Sequence, residues 1–350
     1  MSLHSFRTRR PAVLALLVLF LLLLLAAPLF GAGSGEQTAT APEITLYSGR
    51  GESLVDPLIR RFESETGIRV RVRYAGTAEL AVLLAEEGER TPADLFWGQD
   101  AGALGSLARA GLLAELPESL LEDKPEIYVS ATGQWIATSG RARVLAYSPS
   151  RVTATEFPES VFDLTRQQYR GRVGWAPTNG SFQAFVTAMR VAYGDARTAD
   201  WLRDMGANDA QAYRNNTALV EAIAAGEIDF AITNNYYLLR FLADNPEYPV
   251  SQRFFADGDI GNLVNVASVG VLGTSSRYEP AVRFVEFLLQ QEAQQYFTDV
   301  IYEYPVLDSV APNDALEAFD ALLDTSPRID LDALEDLQGT LTLLRNSGAL

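Results

Sequence analysis

Ile44-Thr45-Leu46-Tyr47, an apolar series at Leu54, Val55, Leu58, Ile59 and Phe62, and then Ile68-Arg69-Val70-Arg71-Val72-Arg73-Tyr74 form the stretch on which the fold class turns. The first segment reads as a short strand ending at Ser48-Gly49. The apolar series has helical spacing and stops at Gly67, and the third segment alternates throughout, as a strand with one wet face does. Downstream, Thr77 is expected to cap a helix carrying Leu80, Leu83 and Leu84, and Asp94-Leu95-Phe96-Trp97 is a third strand. Asp100 then caps a helix with Leu104 and Leu107 that ends at Gly111. Strand and helix alternate three times, which predicts an α/β sheet with helices on its faces. The order of the strands is not encoded in this local pattern.

A second block of the same kind follows Trp135-Ile136-Ala137. It holds a strand at Arg172-Val173-Gly174-Trp175, a turn at Pro177-Thr178-Asn179-Gly180, a helix from Ser181 and another from near Asn216. Asp229 to Thr233 reads as the strand that delivers Asn234-Asn235-Tyr236-Tyr237. Ser268-Val269-Gly270-Val271-Leu272 is a further strand, and Phe284, Val285, Phe287 and Leu288 begin a helix. Two α/β blocks predict a cleft between them, with ligands at the carboxyl ends of the strands.

The amino end predicts the compartment. Arg7, Arg9 and Arg10 precede an unbroken apolar run from Ala12 to Ala27, the pattern of a secretory signal. Gly31-Ala32-Gly33 suits cleavage before Ser34, while the length of the run suits an uncleaved membrane anchor. Residues 1–33 are therefore expected to be a signal peptide or anchor, and residues 34–42 a flexible tether. Either way the chain is expected to work in the periplasm or otherwise outside the cytoplasm. The whole chain has 28 basic and 45 acidic residues; without Arg7, Arg9 and Arg10 it has 25 basic ones and a formal charge of −20. So acidic a surface disfavours nucleic acid and favours cations.

No cysteine is present, and the one histidine, His4, lies in the leader. Without mature histidine there is no Ser-His-Asp or Cys-His machinery and no HExxH zinc motif, so no enzyme is predicted. Any metal site must be built from oxygen, which selects a hard ion; phenolate oxygen suits iron(III) better than zinc or copper. Tyr236 and Tyr237 are the candidates, although adjacent tyrosines at a strand end more often serve packing alone.

Several segments, taken in order, resemble the ferric-ion-binding proteins of bacterial ABC importers, which have the type II periplasmic binding-protein fold. Tyr47-Ser48-Gly49-Arg50, Phe62-Glu63 with Thr66-Gly67-Ile68, Thr91-Pro92-Ala93-Asp94-Leu95-Phe96 and Ala110-Gly111-Leu112-Leu113 match in the first block. Ser139-Gly140-Arg141-Ala142-Arg143-Val144, Gly226-Glu227, Asn234-Asn235-Tyr236-Tyr237 and Glu303-Tyr304-Pro305 match beyond it. The resemblance implies two lobes joined by crossing strands and closing like a hinge on an interlobe cleft. Lobe 1 is expected at 43–139 plus 268–308, and lobe 2 at 140–267 plus 309–350, with the carboxyl-terminal helices packed upon it.

The resemblance also implies Tyr236 and Tyr237 as phenolate ligands of Fe(III). Many relatives add a histidine where this chain has Gly51, and a glutamate where it has Gln99 with Asp100 beside it. Glu52 and Asp100 are spare carboxylates, and Gln99 is a weaker candidate. The remaining coordination positions would fall to a synergistic anion, carbonate or phosphate. Asn179, Gly180 and Ser181 at a helix start, Asn216 and Arg143 are the expected anion contacts, with Arg50 or Arg141 as further cations. The expected partner is a permease of the cytoplasmic membrane, and the expected state a monomer. The same fold holding a small organic anion or sugar phosphate without metal is the alternative.

Overall fold

The computed structural model describes residues 41–122 and 124–350, so the leader and most of the tether lie outside the described residues. The first half contains β1 (Glu43–Ser48), α1 (Glu52–Thr66), β2 (Arg69–Tyr74), α2 (Thr77–Glu87), β3 (Leu95–Gly98) and α3 (Ala101–Arg109). α1 buries Leu54, Val55, Leu58, Ile59 and Phe62, the predicted stripe, and Gly67 ends it with φ 70°, a conformation that costs glycine no Cβ clash. Asp100 caps α3 by accepting from Ala103 N at 2.9 Å. Thr77 does not cap α2; Gly76 occupies the cap position. The Thr77 hydroxyl instead donates to Gly49 O (3.4 Å) and accepts from Gln99 N (3.2 Å), because the loops after β1 and β3 converge on it.

β4 (Ile136–Tyr147) leads into β5 (Val173–Trp175), α4 (Gly180–Ala207), β6 (Gln211–Ala212), α5 (Asn216–Ala225) and β7 (Phe230–Asn234). α4 is broken at Gly194, whose φ of 81° and ψ of 161° are not helical. Then come α6 (Asn235–Asp244), β8 (Ser251–Arg253), β9 (Val264–Val271), α7 (Tyr278–Leu288) and α8 (Gln291–Tyr296). α7 starts at Tyr278, six residues before the first apolar marker that suggested it, because its first turn, Tyr278-Glu279-Pro280, is only partly buried.

The strands order as β2-β1-β3-β9-β4-β7-β5-β6, with β8 also on β4. β4 and β9 tie the halves together. The first part of β4 pairs antiparallel with β9, and its last five residues, Arg143–Tyr147, pair with β7. β9 in turn pairs with β3, so two antiparallel strands cross from one half to the other. Each half has its own aromatic core. Phe62, Trp97, Phe284 and Phe297 meet edge to face in one, and Trp175, Phe182, Phe185 and Trp201 in the other, geometry that adds to the burial of each ring.

The carboxyl-terminal segment holds α9 (Phe319–Thr325), a short turn at Leu331–Glu335 and α10 (Leu337–Asn346). Expected upon lobe 2, it touches α4 there and α3 of the first half as well. Glu335 pairs with Arg109 of α3 at 3.1 Å, while Asp336 pairs with Arg190 of α4 at 2.8 Å. Among the described residues no helix is long and apolar enough to cross a membrane.

Candidate metal and anion site

β7 is buried at every position, and it ends at Asn234 just where β4 passes from one half to the other, opposite Arg143. The chain turns there into α6, so Tyr236 and Tyr237 lie in the first helical turn rather than at the strand end. Asn235 Oδ1 accepts from Ala142 N at 3.1 Å and pins that turn to β4. The two rings stack at 4.2 Å with 28° between their planes, and only 1% of Tyr236 and 6% of Tyr237 is exposed. Burial, reinforced by Tyr237 and then Glu303, pushes the Tyr236 phenol well above its ordinary pKa. Tyr236 is therefore set to be held as a phenol until something displaces its proton.

Around them gathers an unusual number of buried charges. The antiparallel bridge of Gly140 with Tyr304 carries Glu303 against β4. Its carboxylate takes the Arg50 guanidinium in a two-pronged pair, Nη1 at 2.9 Å and Nη2 at 2.8 Å, and also accepts from the Ser139 hydroxyl. Burial opposes the charge on Arg50, but Glu303 outweighs it and holds the guanidinium above its ordinary pKa. Arg143 spends its Nη atoms on the carbonyls of Ser181 and Ile232 and lies over the Phe185 ring. Burial, with Arg141 close by, brings Arg143 down to about 9.

Arg141 is different. It is 2% exposed, yet Nη1 and Nη2 have no hydrogen-bond partner among the described residues, and burial draws its pKa down although Glu303 and Tyr236 pull the other way. Asn216 Oδ1, Asn265 Nδ2 and Ser268 Oγ are also buried without partners. Unmade hydrogen bonds of this kind cost about 1–3 kcal/mol each, and more for charged groups; Arg141 and Asn265 are register partners in the β4–β9 ladder, so that part of it suits a polar guest.

The other expected site residues fall into two sets. Asn179 caps α4 through Ser181 N (3.1 Å) and accepts from the Ser181 hydroxyl (2.6 Å), which in turn accepts from Asn216 Nδ2 (3.5 Å) and Asn234 Nδ2 (3.2 Å). Asn179 Nδ2 also reaches Gln99 Oε1 at 3.4 Å, one of the contacts across the halves. Gly180 lies against the opposite half so closely that an added Cβ would meet Thr77 Cβ at 2.9 Å and Asp100 Oδ2 at 3.2 Å. Asp100 is fully buried beside this contact, and burial lifts its carboxyl to about 6. Gly51 and Glu52, by contrast, are exposed at the start of α1, outside the buried cluster. Among the described residues no group of three or more acidic or histidine side chains is arranged to hold a metal. Asn265 and Ser268 carry no signal in the sequence, and Asn234 and Glu303 stand there only within matched segments, with no role assigned.

The chain matches the profile of the family described as bacterial extracellular solute-binding protein over residues 90–322. It is 32% identical over 329 residues to the major ferric iron-binding protein of Neisseria meningitidis serogroup B, covering 93% of this chain and 97% of that one. The crystal structure of iron-bound HitA from Pseudomonas aeruginosa is similar with a TM-score of 0.82 and 32% identity, over 88% of this chain and 99% of that one. A Trichodesmium protein solved in complex with iron and citrate ligands is similar with a TM-score of 0.70 and 27% identity, over 87% and 99% of the two chains.

Proposed function

Because this chain belongs to the bacterial extracellular solute-binding proteins, we propose that it carries ferric iron, held with a synergistic anion between its two halves, to an ABC permease. It is a carrier and not an enzyme. The single observation that carries the ligand assignment is the meeting of two buried, stacked tyrosines with a buried guanidinium whose Nη atoms have no partner.

The chemistry follows from those groups. A trivalent ion displaces the phenol protons of Tyr236 and Tyr237 at neutral pH, against a pKa that burial has raised at Tyr236, so iron uptake releases protons. Ferric ion, two phenolates and a carbonate dianion sum to one net negative charge, the complement of the Arg141 guanidinium. Arg50 is already neutralised by Glu303 and Arg143 is tied to carbonyls, which leaves Arg141 as the anion's main cation. Asn216 and the amino end of α4 at Gly180-Ser181 add donors on the other side. Separating the halves would return Arg141 and the phenols to water and weaken every one of these contacts together, which is how a docked permease would release the ion. A leader over residues 1–33 would deliver the protein to the periplasm or hold it at the membrane. The reading as a carrier of a metal-free organic anion draws less support, since the relatives are named for ferric iron.

The test is a ferric titration of metal-stripped protein in carbonate-free and carbonate-containing buffer. A visible phenolate-to-iron band is expected to develop fully only with the anion, and Arg141→Met is expected to raise the anion concentration needed. Protein that stays colourless with ferric ion, while a phosphate ester alone raises its melting temperature, would overturn the iron reading.

A further inference from the structure

A recess of about 350 Å³ opens beside Tyr237, between α6 and the turn that follows α8. Tyr237, Phe241 and Tyr302 supply aromatic surface, Arg240 supplies a cation, and Val300 lies half-exposed at the edge. Three further features single it out. Arg240 makes no ion pair among the described residues, although Asp244 lies one turn further along the same helix. The chain beneath it winds as a π-helical turn over Phe297–Ile301, a form that concentrates at functional places. Tyr302 then takes φ 65°, a left-handed conformation that strains an aromatic residue. Strain at Tyr302 sets its side chain on the recess, and the next residue, Glu303, is the one that neutralises Arg50.

We propose that this recess is a subsite for a small aromatic oxygen chelator of the salicylate or catechol class, taken up together with the iron it binds. The inference rests on the ferric reading above and names the form in which the ion would arrive. A planar ring fits against Phe241 and Tyr302, and a carboxylate or phenolate pairs with Arg240. The recess is bounded by Tyr237 itself, so a molecule in it adjoins the proposed phenolate ligand. Two tyrosines leave most ferric positions for oxygen atoms from elsewhere. The rim carboxylate of Asp299 is occupied by Gln295 Nε2 at 2.9 Å, which lessens its competition for the cation.

The probe is salicylate. Metal-stripped protein is loaded with ferric ion in carbonate-free buffer with salicylate, or with carbonate alone, then desalted and assayed for iron and salicylate. Wild-type protein is expected to retain one salicylate per iron. Arg240→Glu is expected to weaken salicylate-supported iron retention by about tenfold or more while leaving carbonate-supported retention unchanged. Tyr302→Gly, which suits the positive φ and removes the whole side chain, is expected to weaken it in the same selective way. No co-eluting salicylate on wild-type protein, or equal loss of both forms in Arg240→Glu, overturns the subsite. Protein that retains no iron even with carbonate fails at the ferric reading itself, and the subsite falls with it.

Discussion

Replacing Glu303 with glutamine separates the structural from the functional role of the buried charges. The Arg50 and Glu303 side chains are wholly inaccessible to solvent, joined by bonds of 2.8 and 2.9 Å, with Ser139 donating to the same carboxylate. Glutamine keeps the volume but removes the charge, and it sets an amide N–H against either Arg50 or the Ser139 hydroxyl. Removing one partner of such a pair costs about 3–5 kcal/mol, because the other charge stays buried. For a chain of this length that lowers the melting temperature on the order of 10 °C. The freed guanidinium fork then faces the same region as Arg141, so a small anion should bind the variant more tightly than the parent. Saturating phosphate at a hundred times its dissociation constant stabilises a one-site protein by about 2.7 kcal/mol, and a tenfold tighter site adds about 1.4. Differential scanning calorimetry of Glu303→Gln and parent, each with and without phosphate, reads both effects. A variant that melts with the parent, or gains no more from phosphate than the parent does, refutes this reasoning.

Three other substitutions probe the surroundings. Gly51 has φ −62° and ψ 136°, and its Cβ would meet nothing nearer than Leu54 at 3.9 Å, so Gly51→His costs no strain. If the imidazole reaches the metal, competition titration should show iron affinity rising on the order of tenfold above pH ~6.5, with the gain lost below it as the imidazole protonates. Gly180→Ala sets a methyl 2.9 Å from Thr77 Cβ, across the contact between the halves. It should penalise the closed form by about 1–3 kcal/mol and weaken iron binding roughly ten- to hundredfold, with little change in the melting of ligand-free, open protein. Asp100, lifted by burial from 3.8 to about 6, binds its proton more tightly folded than unfolded. Stability should therefore fall as pH rises from about 4 to 6, and Asp100→Asn, which keeps the helix cap, should abolish that fall of about 3 kcal/mol in pH-dependent denaturation.

The alternation of strand and helix was legible where an element has one buried face; the stripe from Leu54 to Phe62 and the alternation from Arg69 to Tyr74 need no tertiary partner to be seen. Thr77 was misread as a cap because its hydroxyl is claimed by Gly49 and Gln99, which are distant in sequence. At the site, the tyrosines, Asn179, Ser181 and Asn216 stood out as polar groups at element ends, and the structure gathers them. The division of labour among the arginines did not stand out. Arg50, Arg141 and Arg143 look alike in sequence, and only the position of Glu303, more than 250 residues from Arg50, and of the carbonyls of Ser181 and Ile232 leaves Arg141 unpaired. The tail's additional bond to Arg109 is illegible for the same reason, since it joins parts of the chain that no local pattern relates.

The central claim is that Tyr236 and Tyr237 bind the ferric ion. Titration of metal-stripped wild-type, Tyr236→Phe, Tyr237→Phe and doubly substituted proteins with ferric ion in carbonate buffer, followed at the phenolate-to-iron absorption band, tests it directly. One iron per wild-type chain is predicted, with the band weakened in each single variant, absent in the double variant, and all four proteins folded by circular dichroism. Undiminished colour and stoichiometry in the double variant would contradict the account.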